Sequence, residues 1–278
     1  MQPIYNYNSN SMPQELVSVI MPTYNASRFL AESITCVLNQ TYGNIELLIT
    51  DDHSTEKRTQ ELLDQFSQRD KRVKVMRLDI NRGAGYARNE SIKRAQGRYI
   101  AFCDSDDRWM PQKIEKQIAF MEKHNCALCY GSYILCNDED KEKGIVIAPS
   151  EMTLNRLMHD NKIGCLTAIY DVKRTGKKYY MPELRKRQDW GLFLTILKDI
   201  DKAYGMKEPL AYYRIRPKSV SSRKLELVKY NIKVYEQVLG FSPTKAKLYF
   251  TFVFLPSHFL KLAKRRINSY FYLREKGQ

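Results

Sequence analysis

The chain has 278 residues, of which 43% are hydrophobic and 28% are charged. This composition excludes disordered and collagen-like chains, and the length suits one large domain with a modest extension. The formal net charge of +15 indicates an anionic partner, such as a nucleotide, a nucleic acid or an anionic membrane surface. Residues 223–278 hold 12 basic and 3 acidic residues, so the excess is concentrated there.

Six cysteines and an N-terminus without an apolar leader favour reduced thiols and a cytoplasmic location. Cys126 and Cys129 form a lone C-x-x-C in an apolar run, so we expect small buried side chains there in preference to a metal or redox site. The apolar run 248–262 is interrupted by Pro256 and is too short to span a bilayer.

Alternating strands and helices are predicted for the first part of the chain, after a flexible N-terminal arm over residues 1–15. Apolar runs rich in β-branched residues predict strands, and apolar residues at helical spacing predict the helices between them. In chain order these are strand 16–21, helix 29–38, strand 45–50, helix 57–68, strand 73–78, helix 85–95 and strand 99–103. This alternation predicts an α/β fold, with a mainly parallel sheet flanked by helices.

The pattern weakens after residue 111. A helix around 114–121 is predicted to lead into a strand at 126–135, followed by a charged turn at 137–143. Strands are expected at 163–170 and 209–214, and a helix is expected to start at 189.

Polar loops follow the predicted strands, at the edge where parallel sheets place their ligand crevice. Asp104 and Asp106 lie at the end of the fourth strand, where two carboxylates can converge on Mg²⁺ or Mn²⁺ that also binds a diphosphate. An acidic turn that caps the next helix is an equally good interpretation of these residues.

Two weaker signals lie in the neighbouring loops. Asp51 and Asp52 follow the second strand and could bind a nucleotide's base or ribose, or could cap a helix. Gly83 and Gly85, with Arg88 after them, could bring backbone and guanidinium groups to a phosphate, or could form an ordinary turn.

Five ordered motifs resemble the family 2 inverting glycosyltransferases with the GT-A fold. They are V-S-V-I-M-P-T-Y-N at 17–25, N-Q-T-Y at 39–42, D-D-H-S-T at 51–55, A-R-N at 87–89 and G-R-Y-I-A-F-C-D-S-D-D at 97–107. The resemblance covers about residues 16–222. Later segments at 164–167, 187–190 and 212–214 resemble bacterial transferases that build teichuronic acid, capsule or O-antigen polysaccharides.

The resemblance implies roles for individual residues. The implied nucleotide-binding residues are Pro22, Thr23, Tyr24, Asp52, Arg88 and Asp104. Asp106 is the implied direct metal ligand with Asp104 beside it, and Asp189 is the implied general base. The possible contacts to the diphosphate or the acceptor are Arg187, Tyr213 and Arg214. Two positions depart from the family pattern: Gln188 stands where the family usually has Glu, and His53 where it often has Gly.

We therefore expect a metal-dependent inverting hexosyl- or N-acetylhexosaminyltransferase of surface polysaccharide synthesis. The expected donor is a nucleotide sugar, preferably UDP-linked, and the expected acceptor is a lipid-linked saccharide or polysaccharide. A nucleotidyltransferase on a related α/β fold and a non-enzymatic basic membrane-binding module are the alternatives. A nucleic acid is not expected as a partner because no zinc finger or RNP-like strand is present. The sequence leaves open whether the chain forms a homo-oligomer.

The predicted domains are a GT-A domain at 16–222 and a basic amphipathic helical extension at 223–278. The extension interleaves Lys and Arg with aromatic residues, a pattern that suits the anionic inner face of the plasma membrane. It could equally pack on the catalytic domain or on a second subunit.

Overall fold

The structure of the protein, a computed structural model, describes residues 14–215 and 224–277. Residues 1–13 of the predicted arm and the predicted domain boundary at 222–223 lie outside the described residues. Glu15 lies within them, and its carbonyl accepts a hydrogen bond from the Tyr42 hydroxyl at 2.5 Å. The Asn44 amide likewise donates to the carbonyl of Gln14 at 2.5 Å.

The first half of the sheet consists of parallel strands joined by helices. The strands are β1 (Val17–Thr23), β2 (Ile45–Asp51), β3 (Val73–Arg77) and β4 (Tyr99–Phe102). The helices are α1 (Ser27–Leu38), α2 (Lys57–Arg69) and α3 (Ala84–Arg94). Every residue of β1 and β2 is buried, as expected for strands covered on both faces, which explains their continuous apolar runs.

The second half contains shorter elements. Its strands are β5 (Arg108–Trp109), β6 (Leu128–Cys136), β7 (Glu142–Val146), β8 (Glu151–Met152), β9 (Ile169–Asp171) and β10 (Ala203–Arg214). Its helices are α4 (Lys113–Lys123), α5 (Leu154–His159), a 3₁₀ helix (Cys165–Thr167), α6 (Val172–Thr175) and α7 (Gln188–Asp199).

The prediction of a strand at 163–170 is wrong over most of this range, because the 3₁₀ helix occupies its centre. The Thr167 hydroxyl lies 3.0 Å from the carbonyls of Gly131 and Gly164, and the Gln117 amide donates to the carbonyl of Thr167 at 2.8 Å. These side-chain bonds satisfy backbone groups without a strand partner. β10 begins six residues before the expected Pro209, and its pairing with β6 shifts register around that proline.

The strands form one sheet in the order β3-β2-β1-β4-β9-β6-β10-β5, with β7 beside β6 and β8 beside β10. Within the described residues, four strand pairs are parallel and five are antiparallel, and the antiparallel pairs all involve strands after β4. The predicted α/β class, a central sheet flanked by helices, is confirmed.

The C-terminal part is helical, as predicted. It comprises α8 (Lys224–Gln237), α9 (Pro243–Tyr249), a π-helical segment (Phe250–Phe254) and α10 (Leu255–Glu275). Tyr235 and Phe254 are buried against Trp190 of α7, with ring centroids 5.4 and 5.5 Å away. The other end of α10 contacts β7, where the Tyr272 hydroxyl donates to Glu142 at 2.7 Å. The extension therefore packs on the rest of the chain.

Among the helices of the described ranges, 14–215 and 224–277, none combines the length and the hydropathy needed to cross a bilayer.

Candidate active site

The loops after β1 and β2 meet at the turn before α3. Asp52 is buried, and its two carboxylate oxygens accept the backbone N–H groups of Arg82 and Gly83, each at 2.7 Å. Its own N–H donates to the carbonyl of Thr23 at 2.8 Å. Gly83 has φ of +91°, a conformation that favours glycine. Asp52 thus fixes the turn, and its predicted contact with a base stays a prediction.

The loop after Pro22 carries an exposed aromatic ring. Tyr24 is 49% exposed, whereas Thr23 is buried. Asn25 holds the loop with its side-chain oxygen, which accepts the N–H groups of Thr55 and Glu56 at 2.9 and 3.0 Å. The Tyr24 ring is therefore free to stack on a planar ligand.

The backbone conformation of His53 accounts for one departure from the family pattern. Its φ of +65° lies in the left-handed region, where glycine is favoured and other residues are strained. The backbone thus keeps the conformation that a glycine would adopt at this position.

Three carboxylates follow β4 in the acidic loop (residues 104–107). Arg88 from α3 donates to Asp104 at 2.5 Å. Asp107 is buried, and burial raises its pKa well above the usual range, with further contributions from Asp106 and Asp104. The Ser33 hydroxyl donates to the carbonyl of Asp107 at 2.7 Å, which anchors the loop to α1. The carboxyl groups of the loop therefore lie close enough together to influence one another.

Arg214 lies beneath this loop. Its side chain is 2% exposed, and its guanidinium donates to Glu32 at 2.8 Å, to Asp140 at 2.7 Å and to the carbonyl of Asp106 at 3.1 Å. It also lies 4.0 Å above the Phe29 ring. These contacts hold the acidic loop in place, and the predicted contact of Arg214 with a diphosphate or an acceptor stays a prediction.

Tyr213 and Arg187 also contact other side chains of the protein. Tyr213 is partly buried, with its ring centroid 6.0 Å from that of Tyr133. Arg187 has φ of +66°, and its Nε donates to Asn231 of α8 at 2.8 Å. Their predicted contacts to a diphosphate or an acceptor stay predictions.

Asp189 lies in the first turn of α7, where a negative charge is favoured by the helix dipole. Asn161 donates its side-chain N–H to Asp189 Oδ2 at 2.9 Å. Burial alone would lower the pKa of Arg88, but the charges of Asp104 and Asp189 raise it above its usual range. Arg88 therefore interacts with both the acidic loop and Asp189, and the structure brings these predicted site residues together.

Gln188, the other departure from the family pattern, is buried beside α3. Its amide donates to the carbonyl of Leu184 at 2.6 Å, a contact that a carboxylate at this position could not make. A Cβ on Gly85 would lie 2.9 Å from the Gln188 side chain, so the glycine permits close contact between α3 and α7. Gly85 thus has a packing role, and the sequence had indicated only a phosphate loop or a turn.

Sequence reasoning missed Asn161 and the position of Cys165. Burial raises the pKa of the Cys165 thiol well above the usual range. The thiol is also influenced by four charged side chains of the site: Arg88, Asp104, Asp189 and Asp107. The later resemblance at 164–167 was the available signal for Cys165. Nothing in the sequence singled out Asn161, which lies 28 residues from Asp189.

The family model for glycosyl transferase family 2 matches residues 18–184 of the chain. The chain belongs to this family. The predicted family is thereby confirmed, and the protein is a glycosyltransferase, not a nucleotidyltransferase or a non-enzymatic membrane-binding module.

Two curated relatives of this glycosyltransferase match most of their own length. TuaG of Bacillus subtilis, named as a glycosyltransferase of teichuronic acid biosynthesis, is 40% identical over 224 residues, which are 80% of this chain and 88% of TuaG. WfgD of Escherichia coli, named UDP-Glc:α-D-GlcNAc-diphosphoundecaprenol β-1,3-glucosyltransferase, is 40% identical over 219 residues, or 78% of this chain and 84% of WfgD.

Solved structures share the fold of this glycosyltransferase. S. aureus TarS 1-349 in complex with UDP-GlcNAc has a TM-score of 0.64 and 20% identity, covering 86% of this chain and 73% of TarS 1-349. The mannosyltransferase PcManGT of Pyrobaculum calidifontis, in complex with GDP-Man and Mn²⁺, has a TM-score of 0.61 and 15% identity, covering 89% and 74% of the two chains. The predicted GT-A fold is confirmed.

Proposed function

We propose that this glycosyltransferase is metal-dependent and inverting, and that it transfers a hexose or N-acetylhexosamine from UDP to a lipid-linked saccharide in surface polysaccharide synthesis. The observation that carries the proposal is the position of Arg88, whose pKa is raised by the charges of both Asp104 and Asp189. Arg88 is ion-paired with the acidic loop, and its helix α3 closely contacts α7, which carries the candidate base, at Gly85 and Gln188. The names of TuaG and WfgD support the pathway, the UDP donor and the lipid-linked acceptor.

The donor would bind at the ends of β1 and β2. In this proposal Tyr24 stacks on the uracil, with Pro22 and Thr23 beneath it and Asp52 at the edge of the base. The exposed Tyr24 ring supports this placement, because aromatic side chains offer a flat apolar surface for planar ligands. The UDP-GlcNAc complex of TarS supports a UDP-linked donor.

The donor set of the acidic loop suits a divalent cation. Mg²⁺ is usually bound by one or two carboxylates together with substrate phosphates, and Mn²⁺ accepts similar oxygen ligands. No group of three or more metal-binding side chains occurs in the described ranges. Asp106 is proposed as the direct ligand, with Asp104 beside it, because two carboxylates of one loop can converge on the same cation. A cation held there would offset the charge of the departing diphosphate.

Asp189 is proposed as the general base. Its carboxylate would accept the proton of the acceptor hydroxyl as that oxygen bonds to the anomeric carbon of the sugar. The bond from the anomeric carbon to the UDP oxygen breaks on the opposite face, and UDP leaves. A single displacement of this kind inverts the anomeric configuration.

The test is UDP release from UDP-glucose and UDP-GlcNAc, with GlcNAc-diphosphate on a short alkyl chain as the acceptor probe. Asp189→Asn is expected to lower kcat by about 10²- to 10⁴-fold, the usual contribution of a positioned base, with little change in UDP affinity. Asp199→Asn, at the exposed end of the same helix, is the matched control and should keep wild-type activity. Wild-type turnover by Asp189→Asn would contradict the assignment of the base.

We also propose that the enzyme works at the anionic inner face of the plasma membrane. In this proposal the exposed side of α10 contacts the membrane surface. Large apolar side chains that are 55–72% exposed line this face: Phe259, Leu260, Ile267, Tyr270 and Phe271. At about 100° per residue, they fall within roughly 120° of the helix circumference. The exposed Lys264 and Arg266 flank this strip and Arg274 lies within it near the C-terminal end of the helix, a pattern that suits anionic lipid.

Vesicle co-sedimentation tests this surface. The wild type should bind vesicles that contain phosphatidylglycerol and should bind pure phosphatidylcholine weakly. Phe259→Ser/Phe271→Ser should lose most of this binding yet keep wild-type turnover of the short-chain acceptor. Equal binding by the double variant and the wild type would contradict the proposed surface.

A further inference from the structure

The segment between α5 and the 3₁₀ helix connects α10 to the candidate base. Asn161 in this segment donates from Nδ2 to Asp189 Oδ2 at 2.9 Å. The carbonyl of the same residue accepts a hydrogen bond from Lys261 of α10 at 2.8 Å. One residue thus contacts both the C-terminal helix and the carboxylate proposed to take the acceptor's proton.

The amide of Asn161 has a defined orientation. Its Oδ1 accepts the backbone N–H of Ile163 at 3.3 Å, which directs Nδ2 toward Asp189. Within the described ranges, no protein group donates to Asp189 Oδ1. The arrangement therefore occupies one carboxylate oxygen and leaves the other for the proton of an acceptor hydroxyl.

Asp160 attaches this segment to α10. It is fully buried, and Lys261 Nζ and His258 Nδ1 lie 2.6 and 3.2 Å from its Oδ2. Burial alone would raise the pKa of Asp160, but the interactions with His258 and Lys261 hold it below its usual value. Asp160 is therefore charged at neutral pH, and Lys261 of α10 compensates this charge.

Neighbouring contacts hold the preceding turn of the chain. The Trp190 indole of α7 donates to the carbonyl of Leu157 at 2.9 Å, and the Tyr235 hydroxyl of α8 donates to that of Met158 at 2.7 Å. The carbonyls of Leu157 and Met158 are thus fixed by α7 and α8, and Lys261 adds an anchor directly at Asn161.

We propose that Asn161 is a positioning residue for Asp189 and that Lys261 of α10 keeps Asn161 in place. The C-terminal helix thereby orients the base, in addition to its membrane-facing surface. This inference rests on the proposed function, because it takes Asp189 as the base. A side chain that acts only by orienting the base should change turnover and leave donor binding unchanged.

The experiment measures kcat, donor KM and UDP affinity with the short-chain acceptor, so that membrane binding does not contribute. Asn161→Ala is expected to lower kcat about tenfold, as for loss of one hydrogen bond to a charged group, with donor KM and UDP affinity within twofold of wild type. In the Asp189→Asn background, the same substitution should cause no further loss, because the residues act as a unit.

Lys261 is tested in parallel. Lys261→Met should lower kcat to a similar degree, and Lys261→Arg, which keeps a charged donor, should retain most of the activity. Lys247→Met removes an exposed lysine of α9 and serves as the control with wild-type kcat. Thermal melting of each variant checks that it is folded.

The outcomes separate the two proposals. Wild-type turnover by Asp189→Asn overturns the proposed base and this inference with it. If Asp189→Asn has a low kcat and Asn161→Ala has the wild-type kcat, only the inference is overturned. The inference alone is also overturned if Asn161→Ala lowers activity further in the Asp189→Asn background, because Asn161 would then act independently of Asp189. A folded Lys261→Met with wild-type kcat overturns the link to α10.

Discussion

Lys113 offers a quantitative test of the packing near the acidic loop. It is fully buried at the start of α4, where its Nζ donates to Gln117 at 2.7 Å and lies 3.9 Å from the centroid of the Trp109 ring. Burial lowers its pKa from 10.5 to about 7. No acidic residue is among the groups that act on it most strongly.

The size and sign of the effect follow from this pKa. The unfolded chain binds this proton more tightly than the folded chain, by about 3.5 pH units at about 1.4 kcal/mol each. The lysine therefore lowers the free energy of unfolding by about 5 kcal/mol below pH 7. Stability rises with pH between about 7 and 10.5, because the unfolded state holds more protons there.

Lys113→Met removes the charge and keeps most of the side-chain length. The Gln117 side chain loses a donor, at a cost of about 1–3 kcal/mol, so the variant should be about 2–4 kcal/mol more stable than wild type at pH 6. This advantage should fall by about 3 kcal/mol between pH 6 and pH 9. Urea unfolding at pH 6, 7.5 and 9 measures it, with the partly exposed Lys116→Met as the control. A stability difference that is equal at pH 6 and pH 9 would refute the reasoning.

Two further substitutions test the support of the site. Arg214→Met should lower the free energy of unfolding by about 2–4 kcal/mol, because it removes a buried guanidinium and leaves Glu32 and Asp140 with their ion pairs to Arg108. It should also weaken UDP binding through the loosened acidic loop. Unchanged stability in urea unfolding would contradict this role. Gln188→Glu should cost about 1–3 kcal/mol at neutral pH, because a carboxylate would face the carbonyl of Leu184. Equal unfolding midpoints for this variant and wild type would count against the assigned contact.

The first half of the fold could be predicted because three of its four strands, β1, β2 and β4, are fully buried. Continuous apolar runs such as Val17–Thr23 have few alternative structures, and each ends in a polar loop at the same edge of the sheet. The segment around Cys165 could not be assigned in this way, since its apolar run is equally compatible with a strand and with a 3₁₀ helix fixed by side-chain bonds.

Individual roles at the site were harder to predict than its location. Residue types at strand ends indicated Asp104, Asp106 and Asp52, but the sequence alone could not show that Arg214 is enclosed by Glu32 and Asp140. Those ion pairs join residues that are 182 and 74 positions apart in the chain. Asn161 was missed for the same reason, because its contact with Asp189 exists only in the folded chain.

The most direct test of the central claim is calorimetric titration of the protein with UDP, with and without Mn²⁺, in parallel with the Asp104→Asn/Asp106→Asn variant. A metal-dependent nucleotide site at the acidic loop predicts that UDP binds tightly only with Mn²⁺ and that the double variant loses this binding. UDP binding that is unaffected by Mn²⁺ and by the double substitution would contradict the claim.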